Sequence, residues 1–319
     1  MAAGTPPAGT VQEWQGTDVA DGARTSYLDP AVIARLGTID LKARAIVEGF
    51  LTGLHRSPYK GFSVEFAEYR QYLPGDDLST LDWKVFARTD RHFIKKFEED
   101  TNVECRLLLD VSASMGYAGT GGGLTKLEYG SYLVAALAYL MHRQRDAVGL
   151  IAFDDAIVDM LPVSARPGQL KAVLLALERM TVGHRTDVAK PLADLAQAIS
   201  KRGLVVLVSD LLDDPARVVE GLRHFRYRGT EVIVFQVLHP DERTFPFERA
   251  ARFRDPETAD EVLAIPVQVR EDYLKAVGDL VEFYRRELGA AGIDYTLLDT
   301  SMPLESGLMP YLAARRKAS

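Results

Sequence analysis

Residues 106–115 read Arg-Leu-Leu-Leu-Asp-Val-Ser-Ala-Ser-Met, an apolar strand that ends in a carboxylate and two hydroxyls. Asp110, Ser112 and Ser114 alternate, so a loop leaving the strand can turn all three oxygens toward one point. Oxygen-only ligands of this kind suit a hard divalent cation, Mg²⁺ above all, with Mn²⁺ or Ca²⁺ as the other hard candidates. A serine just past a strand also serves as the N-cap of a following helix, so the fragment alone leaves that reading open.

Outward from this run, the chain alternates between two patterns. Apolar strands are predicted over 104–110, 147–153, 157–161, 204–210, 231–238 and 293–298. Between them lie helical stretches over 126–143, 168–180, 188–201, 214–227 and 272–291. Near-continuous Val, Ile and Leu in the strands is the mark of a sheet covered on both faces. Alternation with helices makes it an α/β fold, a doubly wound and mainly parallel sheet. Residues 239–268 interrupt the pattern with a stretch read as an irregular, acidic and aromatic insertion.

Before residue 103 the pattern differs. Residues 1–26 are rich in Ala, Gly, Thr and Pro without an apolar period, and are expected to be a disordered lead-in. Asp29-Pro30 is a helix start, Asp as N-cap and Pro as first helical residue. From there Val32, Ile33, Leu36, Ile39, Ala43, Ile46, Val47 and Phe50 recur at three- and four-residue steps, with Gly37 and Gly49 as possible breaks. Alternation at Phe62, Val64 and Phe66, a Pro74-Gly75-Asp76-Asp77 turn and a strand at 93–97 suggest a small β-rich module. The expected organisation is therefore 1–26, then 27–102 as N-terminal helix and β module, then 103–319 as the α/β domain. Within the β module, Arg70, Asp76, Asp77, Asp82 and Arg88 invite a reading as a second site. A salt-bridge network closing a turn over Trp83 is the simpler one.

Composition narrows the function classes. Hydrophobic residues make up 47% and charged residues 26% of the 319, the profile of a globular protein. Lys and Arg number 38 against 45 Asp and Glu, a net charge of -7 that argues against general nucleic-acid binding. Cys105 is the one cysteine, so no disulfide forms within the chain, as in a reducing compartment. No apolar run is long enough to span a membrane, and the expected location is cytoplasmic.

In open parallel sheets, ligands sit at the carboxyl ends of the strands. Three features converge on that edge: Asp110-Val111-Ser112-Ala113-Ser114, Asp210 at the end of its own apolar run, and the polar loop Gly183-His184-Arg185-Thr186-Asp187. Thr186 presents a hydroxyl there or caps the helix that follows. Two carboxylates and three hydroxyls, each giving one oxygen, place five around one point, and octahedral Mg²⁺ keeps a position for water or a partner's ligand. Without a cation, two gathered carboxylates repel and one must protonate.

Two catalytic motifs come close. Ser112-Ala113-Ser114-Met115-Gly116 nearly spells the G-x-S-x-G elbow, with Asp210 and His239 downstream in hydrolase order. Ser112 replaces the first glycine, and Asp110 would set a negative charge beside the nucleophile. Gly119 to Lys126 resembles a phosphate loop, but its Thr-Lys order and spacing fail the pattern. A flexible loop at the rim of the metal face explains it better.

The D-V-S-A-S element, Thr186 and Asp210 resemble the metal-ion-dependent adhesion site of von Willebrand factor type A domains. Glu65-Phe66, Tyr69 to Asp77, Asp82-Trp83 and Ala87-Arg88 ahead of that element are similar to the bacterial family of unknown function numbered 58. The resemblance runs from about Tyr27 to the C-terminus. It implies a type A-like fold with an N-terminal extension and Mg²⁺ held by Asp110, Ser112, Ser114, Thr186 and Asp210. It also implies a non-enzymatic adaptor of a MoxR-type AAA+ ATPase and its client. His184-Arg185-Thr186 departs from the Gly-Gly-Thr or Gly-x-Thr of many type A domains, which makes Thr186 the least secure ligand.

Overall fold

The computed structural model describes residues 29–56, 69–71, 93–95, 103–183, 187–199, 202–258 and 260–318. The lead-in 1–26, the alternation at 62–66, and Asp76, Asp77, Asp82, Trp83 and Arg88 lie outside the described residues.

The α/β domain is a six-stranded sheet. In chain order its strands are β3 (Glu104–Asp110), β4 (Ala147–Phe153), β5 (Ile157–Ser164), β6 (Leu204–Ser209), β7 (Glu231–Leu238) and β10 (Asp294–Asp299). They lie side by side as β10-β7-β6-β3-β4-β5, all parallel except β5, which returns antiparallel to β4. Two short strands, β1 (Tyr69–Gln71) and β2 (Phe93–Lys95), pair antiparallel farther up the chain.

Helices cover both faces, as the near-continuous Val/Ile/Leu strands require. One face holds α3 (Lys126–Arg143), α4 (Gln169–Arg179) and α9 (Glu305–Ala318), with α2 (Ile39–Arg56) laid over α3. On the other lie α5 (Ala189–Ala198), α6 (Pro215–Tyr227) and α8 (Pro266–Ala290). Alternation along β3 divides its side chains: Cys105, Leu107 and Leu109 join the first core, and Leu108 joins the second. Burial of α3 on nearly every side, from Leu127 to Met141, follows from a sequence that is apolar all round. A reciprocal cap starts it: Thr125 Oγ1 accepts from the Glu128 N–H, and the Glu128 carboxylate accepts from the Thr125 N–H.

The N-terminal helix start is as expected, with Asp29 Oδ1 accepting from the Ala31 N–H at 2.7 Å. That first helix is short: α1 (Pro30–Ala34) ends before Gly37, and α2 begins at Ile39. Ile33, Ile39, Ala43, Ile46, Val47 and Phe50 are buried in the same core as α3 and β3.

Several boundaries move. The stretch 239–268 is ordered: α7 (Pro240–Thr244) is followed by a hairpin of β8 (Ala251–Arg254) and β9 (Glu261–Ala264). Phe245, Phe247, Phe253 and Tyr273 form an aromatic cluster there. Helix α8 begins at Pro266 instead of 272, because proline is well tolerated at the first helical position. α9 has no counterpart in the expected elements; it buries Leu308, Tyr311 and Leu312.

Candidate functional site

β3 and β6 are neighbours in the sheet but not in sequence, since the chain first moves outward to β4 and β5 and then returns. A crevice at such a reversal of strand order is where open α/β sheets bind ligands. Register places Leu109 beside Val208, so Asp110 ends β3 next to Ser209 and Asp210 follows at the same rim.

Asp110 is completely buried and fully hydrogen-bonded. Its Oδ1 accepts from the Ser112 N–H at 2.8 Å and its Oδ2 from the Ser209 hydroxyl at 2.6 Å. The first bond folds Val111 and Ser112 back over the strand end. The short 3₁₀ turn Ala113–Gly116 then brings Ser114 round, leaving Ser112 Oγ and Ser114 Oγ 3.1 Å apart. Burial pushes the Asp110 carboxyl up to about 7; the nearby Asp210 charge adds to that, and the hydrogen bonds from Ser112 and Ser209 oppose it. Asp110, Ser112, Ser114 and Asp210 are thus gathered at one rim. Thr186 lies outside the described residues; the preceding Gly183 donates its N–H to the Val111 carbonyl at 2.6 Å.

A residue outside the expected donor set completes the centre. Lys126 Nζ, with no solvent exposure, donates to Asp210 Oδ2 at 2.8 Å and to Glu242 Oε1 at 2.7 Å. Burial pulls this ammonium's pKa down, but the two carboxylates more than offset that and hold it above its ordinary value. The anticipated repulsion between Asp110 and Asp210 is therefore relieved partly by a side chain of the protein. A signal existed in the sequence: a lysine at the first position of a helix faces the positive end of the helix dipole and needs a compensating anion. Asp210 is further fixed by the Leu212 N–H on Oδ1 at 3.2 Å and by Gln236 Nε2 on its carbonyl at 2.9 Å. Leu211, buried with a φ of 56°, turns the chain sharply after it. Ser209 Oγ accepts the Leu211 N–H at 2.9 Å, and the Tyr284 hydroxyl donates to the Leu211 carbonyl at 3.0 Å.

These contacts do not assemble a serine hydrolase. Ser114 meets Ser112, Asp210 is bound by Lys126, and His239 Nδ1 accepts the Asp241 N–H at 3.1 Å. The relay from Ser114 through His239 to Asp210 that the alternative reading requires is not formed, because His239 instead caps α7 with its ring edge against Tyr117. Nor does the glycine-rich loop cradle phosphate: Lys126 points into the carboxylates, and the Thr120 N–H donates to Asp241 Oδ2 at 3.1 Å.

Among the described residues no group of three or more His, Cys, Asp and Glu converges as a metal-holding set. The donors here are mixed. Bonds of about 2.0–2.1 Å to Mg²⁺ put adjacent octahedral ligands about 3.0 Å apart. The two serine oxygens are hydrogen-bonded to each other at 3.1 Å, a separation that is also close to that edge. A desolvated Asp110 beside a second carboxylate is also a place where added positive charge is welcome. Asp110, Ser112 and Ser114 fit a hard cation; Asp210 is already engaged by Lys126.

A family model described as a protein of unknown function, DUF58, matches residues 68–280. An uncharacterized protein of Mycobacterium tuberculosis is 26% identical over 297 residues, covering 91% of this chain and 92% of its own. A counterpart in Mycobacterium bovis gives the same figures. Among solved structures, BatB from Bacteroides thetaiotaomicron aligns with 16% identity, 67% of this chain, 99% of its own and a TM-score of 0.48. An aerotolerance-related membrane protein from Bacteroides fragilis aligns with 19% identity over the same shares and a TM-score of 0.46. No helix among the described residues is long and apolar enough to cross a membrane.

Proposed function

This chain belongs to DUF58, a protein family of unknown function, and we propose that it is a non-enzymatic protein-interaction module docking partners at the carboxyl edge of β3 and β6. The observation that carries the reading is the pair of serine hydroxyls, 3.1 Å apart beside buried Asp110, at the point where strand order reverses. Ser112 and Ser114 would hold Mg²⁺ directly, with Asp110 beside them. Asp210 would contribute through water or directly, and Thr186 is the remaining candidate. When bound, the ion supplies a positive centre on which an acidic side chain of a partner can settle. The protein's own residues do the rest: Ser209 and the Ser112 N–H hold Asp110 in place, and Lys126 pairs with Asp210 and partly offsets its negative charge beside Asp110.

The resemblance stated above supports a MoxR-type AAA+ ATPase as partner, with this chain as adaptor for a client, in the cytoplasm. Isothermal titration with Mg²⁺ tests the metal half. One site is expected in the wild type and none in Asp110→Ala or in Ser112→Ala/Ser114→Ala, with far-ultraviolet circular dichroism unchanged. A wild type that takes up no Mg²⁺ refutes it. Pull-downs with and without EDTA test the partner half: recovery of an AAA+ ATPase in Mg²⁺ alone supports both halves together. Recovery in both conditions separates the partner from the ion.

A further inference from the structure

The docking face is closed. Asp110, Ser112, Lys126 and Asp210 have no solvent exposure and Ser114 only 8%, so a partner's side chain cannot reach these groups as they stand. Part of the cover is α7, which follows β7 at the same sheet edge. Glu242 leans from it onto Lys126, and its other oxygen accepts the His239 N–H at 2.6 Å. Asp241, its neighbour, accepts from the Thr120 N–H at 3.1 Å and the Tyr117 hydroxyl at 3.4 Å, which ties α7 to the glycine-rich loop. Gly119 allows that approach: a Cβ there would lie 2.2 Å from His239 Cε1. On the far side Arg243 pairs with Asp299.

Glu242 is unlike the other charges of the centre. Asp210 is fully buried, whereas the Glu242 side chain keeps 18% of its surface and sits on a five-residue helix at the rim. It supplies a carboxylate to a buried ammonium from outside the sheet, as a partner's side chain would. We propose that α7 is a self-blocking latch, and that Glu242 occupies on Lys126 the position taken by an Asp or Glu of the docking partner. The proposal rests on reading this edge as a protein-docking face, but Lys126 receives the acidic group whether or not an ion is present. The partner's acidic residue displaces Glu242, α7 swings off the glycine-rich loop, and Lys126 becomes accessible in the same movement.

The test is done in EDTA, so that it does not depend on the metal reading. Glu242→Gln keeps the acceptor for His239 but removes the charge from Lys126. Asp241→Asn loosens the other tie and serves if the first variant folds poorly. Hydrogen exchange should quicken in 117–126 and 239–245 in both variants and nowhere else. Fluorescein-labelled hexaglutamate should then bind Glu242→Gln about tenfold tighter than wild type, the gain expected when a site open roughly a tenth of the time is released. Hexalysine should bind neither. Unchanged exchange in both variants overturns the latch and leaves the docking reading standing. Faster exchange without a gain for hexaglutamate overturns Glu242 as a stand-in and takes the acidic-partner reading of this face with it. Failure of Mg²⁺ to bind wild type touches only the metal half.

Discussion

Replacing Lys126 by Met removes a buried cation from between two carboxylates while keeping the aliphatic bulk. Asp210 would be left with no solvent exposure and, among the described residues, only the Leu212 N–H as a hydrogen-bond partner of its side chain. Removing one partner of a buried pair costs about 3–5 kcal/mol because the other charge stays behind uncompensated. Met also escapes the unfavourable start of the helix dipole, a gain of about 0.3–1 kcal/mol, so the net loss is roughly 2–4 kcal/mol. At about 2–4 °C for each kcal/mol, the melting temperature should fall by roughly 5–15 °C. Thermal melts and urea titrations in EDTA give the number. Pairing the change with Asp210→Asn identifies its cause: the double variant should recover most of the loss, since the stranded charge is gone. A Lys126→Met protein within about 1 kcal/mol of wild type, or a double variant no better than the single, refutes the claim that this lysine serves as the site's resident counter-ion.

The raised pKa of Asp110 has its own consequence. Its folded value, about 7, lies above the ordinary 3.8, so the folded state binds the proton more tightly than the unfolded chain. Without metal the contribution of Asp110 to stability should therefore be full below about pH 4, decline as pH rises from there, and be lost above about 7. Melts from pH 5 to 8 in EDTA should show that slope in wild type and a flatter one in Asp110→Asn; equal slopes count against it. At Leu211, whose φ is 56°, Leu211→Gly should be less destabilising than Leu211→Ala by about 1 kcal/mol, inverting the usual order, because only glycine adopts that backbone freely. Urea denaturation of both variants decides it. Gly119→Ala, with φ +69° and His239 in the path of the new methyl, should speed amide exchange across 239–245; an unaltered exchange map rejects the packing described.

The strands and most helices were legible because each buried strand is a near-unbroken Val, Ile and Leu run between polar turns. Helix α8 was read short because its first turns, Val267 and Val269 among them, are exposed, and an unpacked turn leaves little periodic trace. The reversed direction of β5 is a property of pairing, which local pattern does not encode. Asp110, Ser112, Ser114 and Asp210 could be gathered from sequence because strand ends share one edge of a parallel sheet. Lys126 and Glu242 could not be paired that way. They stand 116 residues apart, and a lysine after a glycine-rich loop first suggests phosphate. Its awkward place at a helix start was the one clue.

Among the described residues, the antiparallel β5 has no neighbour on its outer rim in the sheet, with Ile157, Val158 and Met160 substantially exposed. An open apolar margin of this kind invites a stray chain to add itself by backbone bonding. Three local features resist such growth: shifts of register against β4, a charge at Asp159, and Pro162, which has no amide hydrogen to offer. Mutating Pro162 to an ordinary residue would thus trade a small change in fold stability for a larger one in colloidal behaviour, seen as turbidity on concentration before any loss of helix signal.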